Sequence, residues 1–261
     1  MTGPFKYVFY ALTAFFCLNY SVISAQVMLS GVIYYDQVQE YGLDGVYDSP
    51  EWDSFIAQLP KTGKSQYILT FTPSRTLFEK DPESDSFMDP KMKLALKKAS
   101  YLQAPTPNSI KTFYDHNAGK QIEQVELLKK DFFVEKELKQ LPWKITQTRK
   151  QVLNYMCMGA ELNIGDETIT AYFSPQIPIP IGPGEYHGLP GAILSIEKND
   201  VVLMEASSIR FWNEDEIISI ETPGEGKTIS ETEFEKIVEK KTQEYNINAA
   251  AKSKAKKKGK K

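Results

Sequence analysis

The chain has 261 residues, with 31 Lys and Arg against 34 Asp and Glu and only two cysteines. Seven of the lysines fall within Lys252–Lys261, so the rest of the chain is acidic, which argues against nucleic-acid binding by the folded part. Two cysteines, Cys17 and Cys157, cannot supply a disulfide framework, so an apolar core has to hold the fold.

The N-terminus reads as a secretory signal peptide over residues 1–25. Lys6 is the only charge before Asp36, Val8–Leu18 is apolar, and Ser24-Ala25 offers a small-residue cleavage site before Gln26. The apolar run is well short of the ~20 residues a spanning helix needs, so cleavage near Ala25 is expected rather than anchoring. The mature chain then keeps one cysteine, Cys157, and is expected in the periplasm or at the cell surface. Without the seven tail lysines it carries 23 basic and 34 acidic residues.

Residues 26–228 read as one mainly antiparallel β domain, a curved meander resembling a half-barrel. Leu29–Val38, Gln66–Thr72 and Arg75–Glu79 are strand candidates, and Trp52–Leu59 is a short helix or an irregular turn. Asp81–Pro107 reads as a mobile excursion with helical spacing over Lys91–Leu102. Ile110–Asp115 and Lys120–Leu127 form a hairpin across Asn117-Ala118-Gly119, followed by Asp131–Glu137. Trp143–Thr148 and an uninterrupted central strand, Val152–Leu162, come next. Asn163-Ile164-Gly165-Asp166 turns the chain into Glu167–Ser174. Ala192–Glu197 pairs with Val201–Ile209 across Asn199-Asp200, and Trp212 with Ile217–Ile220 adds one more strand. Ser230-x-x-Glu233 is a capping box with Ile229 and Phe234 as its staple, opening a helix over 229–248. Residues 249–261 read as a disordered Lys-rich tail able to make weak contact with anionic membranes.

Between these strands lies the most constrained stretch of the chain, Gly182–Ile193. Its Leu189-Pro190-Gly191-Ala192 fits a type II turn with a positive φ at Gly191. Just before it, Pro178, Pro180 and Pro183 alternate with Ile177, Ile179 and Ile181. Proline donates no amide hydrogen, so this is an edge strand or polyproline II. It either protects a sheet edge from pairing or forms a rigid lip over an apolar groove.

Several blocks resemble the GLPGLI family of exported bacterial proteins: Lys150 with Val152, Tyr155, Cys157 and Ala160, then Ala171-Tyr172-Phe173-Ser174 and Gln176-Ile177-Pro178-Ile179. Gly182-Pro183 and Gly188-Leu189-Pro190-Gly191 complete them, all in the family's order within about 45 residues. Asn154, Gly159 and Ala192 depart from the pattern. The resemblance implies an exported protein of unassigned role and brings no catalytic residues. The lip reading and the signature together give as candidate binding residues Ile177, Pro178, Ile179, Pro180, Gly182 and Pro183, with Tyr186, His187, Gly188, Leu189, Pro190 and Gly191.

Catalytic chemistry finds little support in the residues. His116 reads as a solvated loop residue and His187 as a turn residue, and the two have no metal-site spacing. Cys157, sharing a strand face with Leu153 and Tyr155, reads as a buried small hydrophobe, and Cys157, Tyr155 and Tyr172 are read as structural residues. Ser174, Ser195 and Ser207 lack a nucleophile elbow, and Glu123/Glu126 and Asp81/Glu83/Asp85 read as solvated charge. No metal and no cofactor is implied. The expected function is a non-catalytic binding or assembly module of the cell envelope, acting on a lipid, lipoprotein or envelope-protein partner. The alternative is an exported hydrolase using Cys157 or a carboxylate pair.

Overall fold

The computed structural model describes residues 29–84, 88–199, 201–213 and 219–258. The expected leader, Asp85, Asp200, Ile217 with Ile218, and the last three residues of the tail lie outside them. Among the described residues, twelve strands form one sheet. In the first half these are β1 (Gly31–Glu40), β2 (Thr62–Phe71), β3 (Arg75–Lys80), β4 (Asn108–Asp115), β5 (Lys120–Leu127) and β6 (Lys130–Glu137). In the second half they are β7 (Lys144–Val152), β8 (Tyr155–Ile164), β9 (Glu167–Ser174), β10 (Ala192–Lys198), β11 (Val201–Phe211) and the two-residue β12 (Ile229–Ser230).

The sheet order is β12-β6-β5-β4-β3-β2-β1-β11-β10-β9-β8-β7, antiparallel throughout except where β12 joins β6. Two meanders, β1–β6 and β7–β11, are thus zipped together along β1 and β11, with Tyr35 opposite Ala206 and Gln37 opposite Met204. The step from β6 to β7 crosses from one side of the sheet to the other. Ten strand spacings separate these two strands, about 48 Å along the sheet. Only residues 138–143 connect them, a reach of at most about 25 Å. The sheet therefore has to curl, and it is open and curved.

The core lies inside the curve, where Ile33, Tyr35, Leu69, Phe71, Leu194 and Ala206 are buried. Residues 175–191, the β9–β10 connection, pack into it: Ile177 and Ile181 belong to the same cluster, and Leu189 joins a second one with Phe173 and Ile193. Neither an edge strand nor polyproline II is present. The amides of Ile179, Ile181 and Gly191 each donate at 2.8 Å to the carbonyl two residues back, closing three-residue turns centred on Pro178, Pro180 and Pro190. Proline's fixed φ suits that position, and each turn holds its flanking residues in place. This also replaces the expected type II turn, since Gly191 is not among the residues of positive φ. Gly191 is required for a different reason: a Cβ there would overlap the Ser174 carbonyl.

Other expectations change in the structure. Val152–Leu162 is not one strand; Leu153, with φ 52°, turns the chain so that Val152 pairs with Tyr155. The apolar residues around it hide this turn, because Leu153-Asn154 has no glycine. β7 is the open edge, and its register steps from Ile145 opposite Ala160 to Arg149 opposite Met158. The extra residues bulge over Gly159, where a Cβ would overlap the Thr148 and Thr146 hydroxyls. That accounts for a glycine at this position. Ile220 is a buried coil residue rather than part of a strand.

The excursion after β3 folds as α2 (Pro90–Leu102), capped by Asp89, which accepts from Lys91 N at 2.7 Å. It packs Met92, Ala95 and Ala99 against Trp52 of α1 (Pro50–Ile56). The C-terminal helix, α3 (Glu231–Lys258), starts at the expected capping box, with Ser230 N donating to Glu233 at 2.9 Å. Phe234 is buried against Val125, Leu127 and Val134. The helix runs on past Asn248 to Lys258, where a disordered tail was expected, because Ala and Lys are both good helix formers.

Gly191→Ala is expected to destabilise the protein by roughly 2–4 kcal/mol in chemical denaturation, since the Ser174 carbonyl cannot move without disturbing β9. Gly165→Asn, at an exposed turn of positive φ with open space around it, is expected to cost well under half as much. Equal losses would contradict the close approach at Gly191.

Candidate functional site

The strands aim a consistent set of side chains at the concave side. Gln37 lies two residues beyond the buried Tyr35 on β1 and opposite Met204. On the neighbouring strands the register pairs Phe78 with Thr112, and Thr112 with Glu123. Gln121 is in turn opposite Lys136 on β6. These side chains, with Tyr67, Ile196 and Leu203, surround a cavity of about 360 Å³. Pro183–Tyr186 of the β9–β10 connection forms its remaining wall.

Two aromatic donors fix the loop that carries this wall, and a third fixes the start of β10 just after it. The Tyr35 hydroxyl donates to the Ile193 carbonyl at 2.6 Å, and the Tyr114 hydroxyl donates to the Gly184 carbonyl at 2.6 Å. Trp143 Nε1 donates to the His187 carbonyl at 2.9 Å. Burial pushes both tyrosine phenols far above their ordinary value, so they stay protonated as donors. Trp143 sits in the short β6–β7 connection, so the segment that curls the sheet also holds the loop.

Behind the wall lies a ring stack that the two histidines share. His187 meets Tyr114 edge-on at 5.1 Å, and Tyr114 stacks against His116 at 6.1 Å. His116 is no solvated loop residue: it is half-buried, and its Nε2 lies 2.8 Å from the Thr76 hydroxyl. His187 is 9% exposed. Burial, and then the nearby His116, push it down to about 4.

The two ends of the cavity differ. At the apolar end Tyr67 and Phe78 stack in parallel at 5.2 Å beside Leu203 and Met204. At the polar end Lys136 pairs with Glu123 at 2.7 Å and reaches Glu231 at 3.7 Å. Burial opposes the charge on Lys136, but the Glu123 hydrogen bond, with Glu231 and Glu185 nearby, outweighs it and raises the ammonium above its usual range. Glu123, read from sequence as solvated charge, is therefore an 18%-exposed member of the cavity wall. Nothing local in the sequence marks it, because its partners come from other strands.

The candidate residues divide into three groups. Ile177, Ile181, Gly182, Pro183, His187, Leu189 and Gly191 are buried, Ile179 and Tyr186 are half-buried, and Pro178, Pro180, Gly188 and Pro190 face solvent. Of them, Pro183 and Tyr186 line the cavity. Cys157 is fully buried, with Tyr155 and Tyr172 packed on its cluster, and is not a lining residue. Burial raises its thiol to about 11. Opposite it on β7, Lys150 bonds Glu197 at 2.8 Å and Glu205 at 2.6 Å over the Tyr172 ring, a polar cluster that the sequence did not reveal. Among the described residues, no group of three or more His, Cys, Asp or Glu is placed to hold a metal. No helix of the described residues is long and apolar enough to cross a membrane.

The His187 environment sets a pH dependence. Its folded value lies below the unfolded value of about 6.5, so its contribution to stability is complete above that pH. The contribution is lost as pH falls toward 4. The melting temperature is expected to drop across this window, and His187→Gln is expected to flatten the drop. An unchanged slope in the variant would place the acid sensitivity elsewhere.

Residues 161–195, from β8 through the signature loop into β10, match a family described as "Protein of unknown function (Porph_ging)". No curated protein matches the chain. Two solved structures of PNGF-II are similar in fold. The C2 form aligns over 82% of this chain and 33% of the PNGF-II chain, with a TM-score of 0.52 and 13% identity. The P21 form aligns over 82% and 34%, with a TM-score of 0.50 and 12% identity. The chain thus spans about a third of the length of PNGF-II, and at such identities the likeness is one of fold alone.

Proposed function

We propose that the mature protein is an exported, non-catalytic binding module of the cell envelope, of the GLPGLI type, with the concave cavity as its ligand site. The observation that carries this reading is the cavity itself, about 360 Å³ and walled by a loop that Tyr114 and Trp143 hold through Gly184 and His187. A preformed hollow that joins apolar side chains to convergent polar groups is a usual form of small-ligand site, and this one carries Gln37, Thr112, Gln121, Glu123 and Lys136 beside Phe78, Leu203 and Met204. The polar end suits a compact end group of an envelope partner better than a buried acyl chain, whose methylenes would desolvate the Glu123–Lys136 pair without replacing its water.

Chemistry by Cys157 fits less well. A buried thiol raised to about 11 is protonated at neutral pH, and it lies outside the cavity. The Thr76–His116 contact resembles an activated hydroxyl, but Thr76 is only 1% exposed, beyond reach of a substrate. The Lys-rich end of α3 supports a secondary, salt-sensitive contact with anionic membranes.

The test is mass spectrometry of material co-purifying with the mature protein from its native envelope, set against Leu203→Trp, which fills the cavity wall. One dominant species is expected with the parent protein and is expected to be lost in the variant, with the melting temperature of the two compared in parallel. A folded variant that retains the same species would place binding elsewhere.

A further inference from the structure

The balance of charge and free hydrogen-bonding capacity around the cavity specifies what it can hold. Lys136 is the one basic group of the polar end without a single dedicated partner, and it is already engaged by Glu123 at 2.7 Å and Glu231 at 3.7 Å. Glu185, on the loop wall, adds a third carboxylate close enough to act on the same ammonium. Lys111, the other lining cation, is closed off by Glu79 at 2.6 Å. Glu231 is shared with Lys139 at 3.6 Å, so three ammoniums (Lys111, Lys136 and Lys139) face four carboxylates (Glu79, Glu123, Glu185 and Glu231), which leaves one carboxylate in excess and no lysine charge to spare for an anionic ligand.

The uncharged groups lean the same way. Gln37 lines the cavity, and its Oε1 is buried without a hydrogen-bond partner. A buried acceptor of this kind gains only from a donor. The unpartnered acceptor and the carboxylates call for a ligand that donates and is positively charged, while Phe78, Leu203, Met204 and Ile196 call for an apolar body next to that charge.

We infer that the cavity binds a primary ammonium carried on a compact apolar body, an inference that rests on the cavity being the ligand site. The ammonium meets Gln37 Oε1 and the carboxylates of Glu123 and Glu185, and the apolar body lies toward Phe78 and Leu203. A free amine and the amino terminus of a peptide with an apolar first residue offer the same chemistry.

The experiment is calorimetric titration of the mature protein with 2-phenylethylamine and with the tripeptide Phe-Gly-Gly, each beside its N-acetylated form. Both free amines are expected to bind at least tenfold more tightly than their acetylated forms. Glu185→Gln, a change at an exposed position, is expected to weaken the amines several-fold and leave the acetylated compounds unchanged. A tripeptide binding well above phenylethylamine identifies a peptide terminus as the source, and equal binding identifies a free amine; either supports the ammonium. Acetylated and free compounds binding alike, with both lost in Leu203→Trp, would overturn the ammonium and leave the cavity as the ligand site. Binding by none of the four, or binding that Leu203→Trp leaves intact, would overturn the site itself.

Discussion

The structure depends on the shortness of the connection between β6 and β7. Residues 138–143 join strands that lie ten positions apart in the sheet order, so the sheet is bent until its two sides come within reach. Bending produces a concave interior, and an interior of that size has to be filled or it costs dispersion and hydration free energy. Residues 175–191 fill it. The proline-centred turns let this segment present Ile177 and Ile181 to Ile33, Tyr35 and Leu69 with its backbone groups bonded at close range. What the loop leaves unfilled is the cavity.

Because the loop is a plug, its polar backbone must be satisfied inside the protein. Tyr114 of β4 and Trp143 of the β6–β7 connection supply part of that satisfaction, and Tyr35 of β1 holds Ile193 where the loop enters β10. The same arrangement explains why the histidines are held neutral. His187 and His116 flank Tyr114 with little solvent, and a proton on either would be a poorly hydrated charge beside the other. The rigid wall and the acid sensitivity are two results of one burial.

Much of the fold was legible in the residues because it is locally encoded. Turns with glycine of positive φ at Gly119 and Gly165 lie where expected, as do the Ser230–Glu233 capping box and the β10–β11 hairpin. What escaped was set by distant partners. Leu153 turns the chain without glycine, and Gly159 is required by a bulge on the adjacent strand. The isoleucine–proline alternation reads as an edge because proline cannot join a ladder; only the curl shows that its isoleucines face inward. The site was least legible: Gln37, Thr112, Glu123 and Lys136 come from four strands and converge only through the register. Of the residues singled out in the signature, Pro183 and Tyr186 reach the cavity directly, and others hold the wall.

The central claim is that residues 175–191 are an internal plug and not a surface lip, and native-state hydrogen exchange tests it most directly. The amides of Gly188, Ala192 and Ile193, which donate to Pro180, Ile177 and Ile181, report the loop's own bonds. The account predicts that they open with free energies close to those of the β1 and β11 amides, as part of one cooperative unit. Exchange through local opening at far lower free energy, while β1 and β11 stay protected, would show a loop resting on a core complete without it.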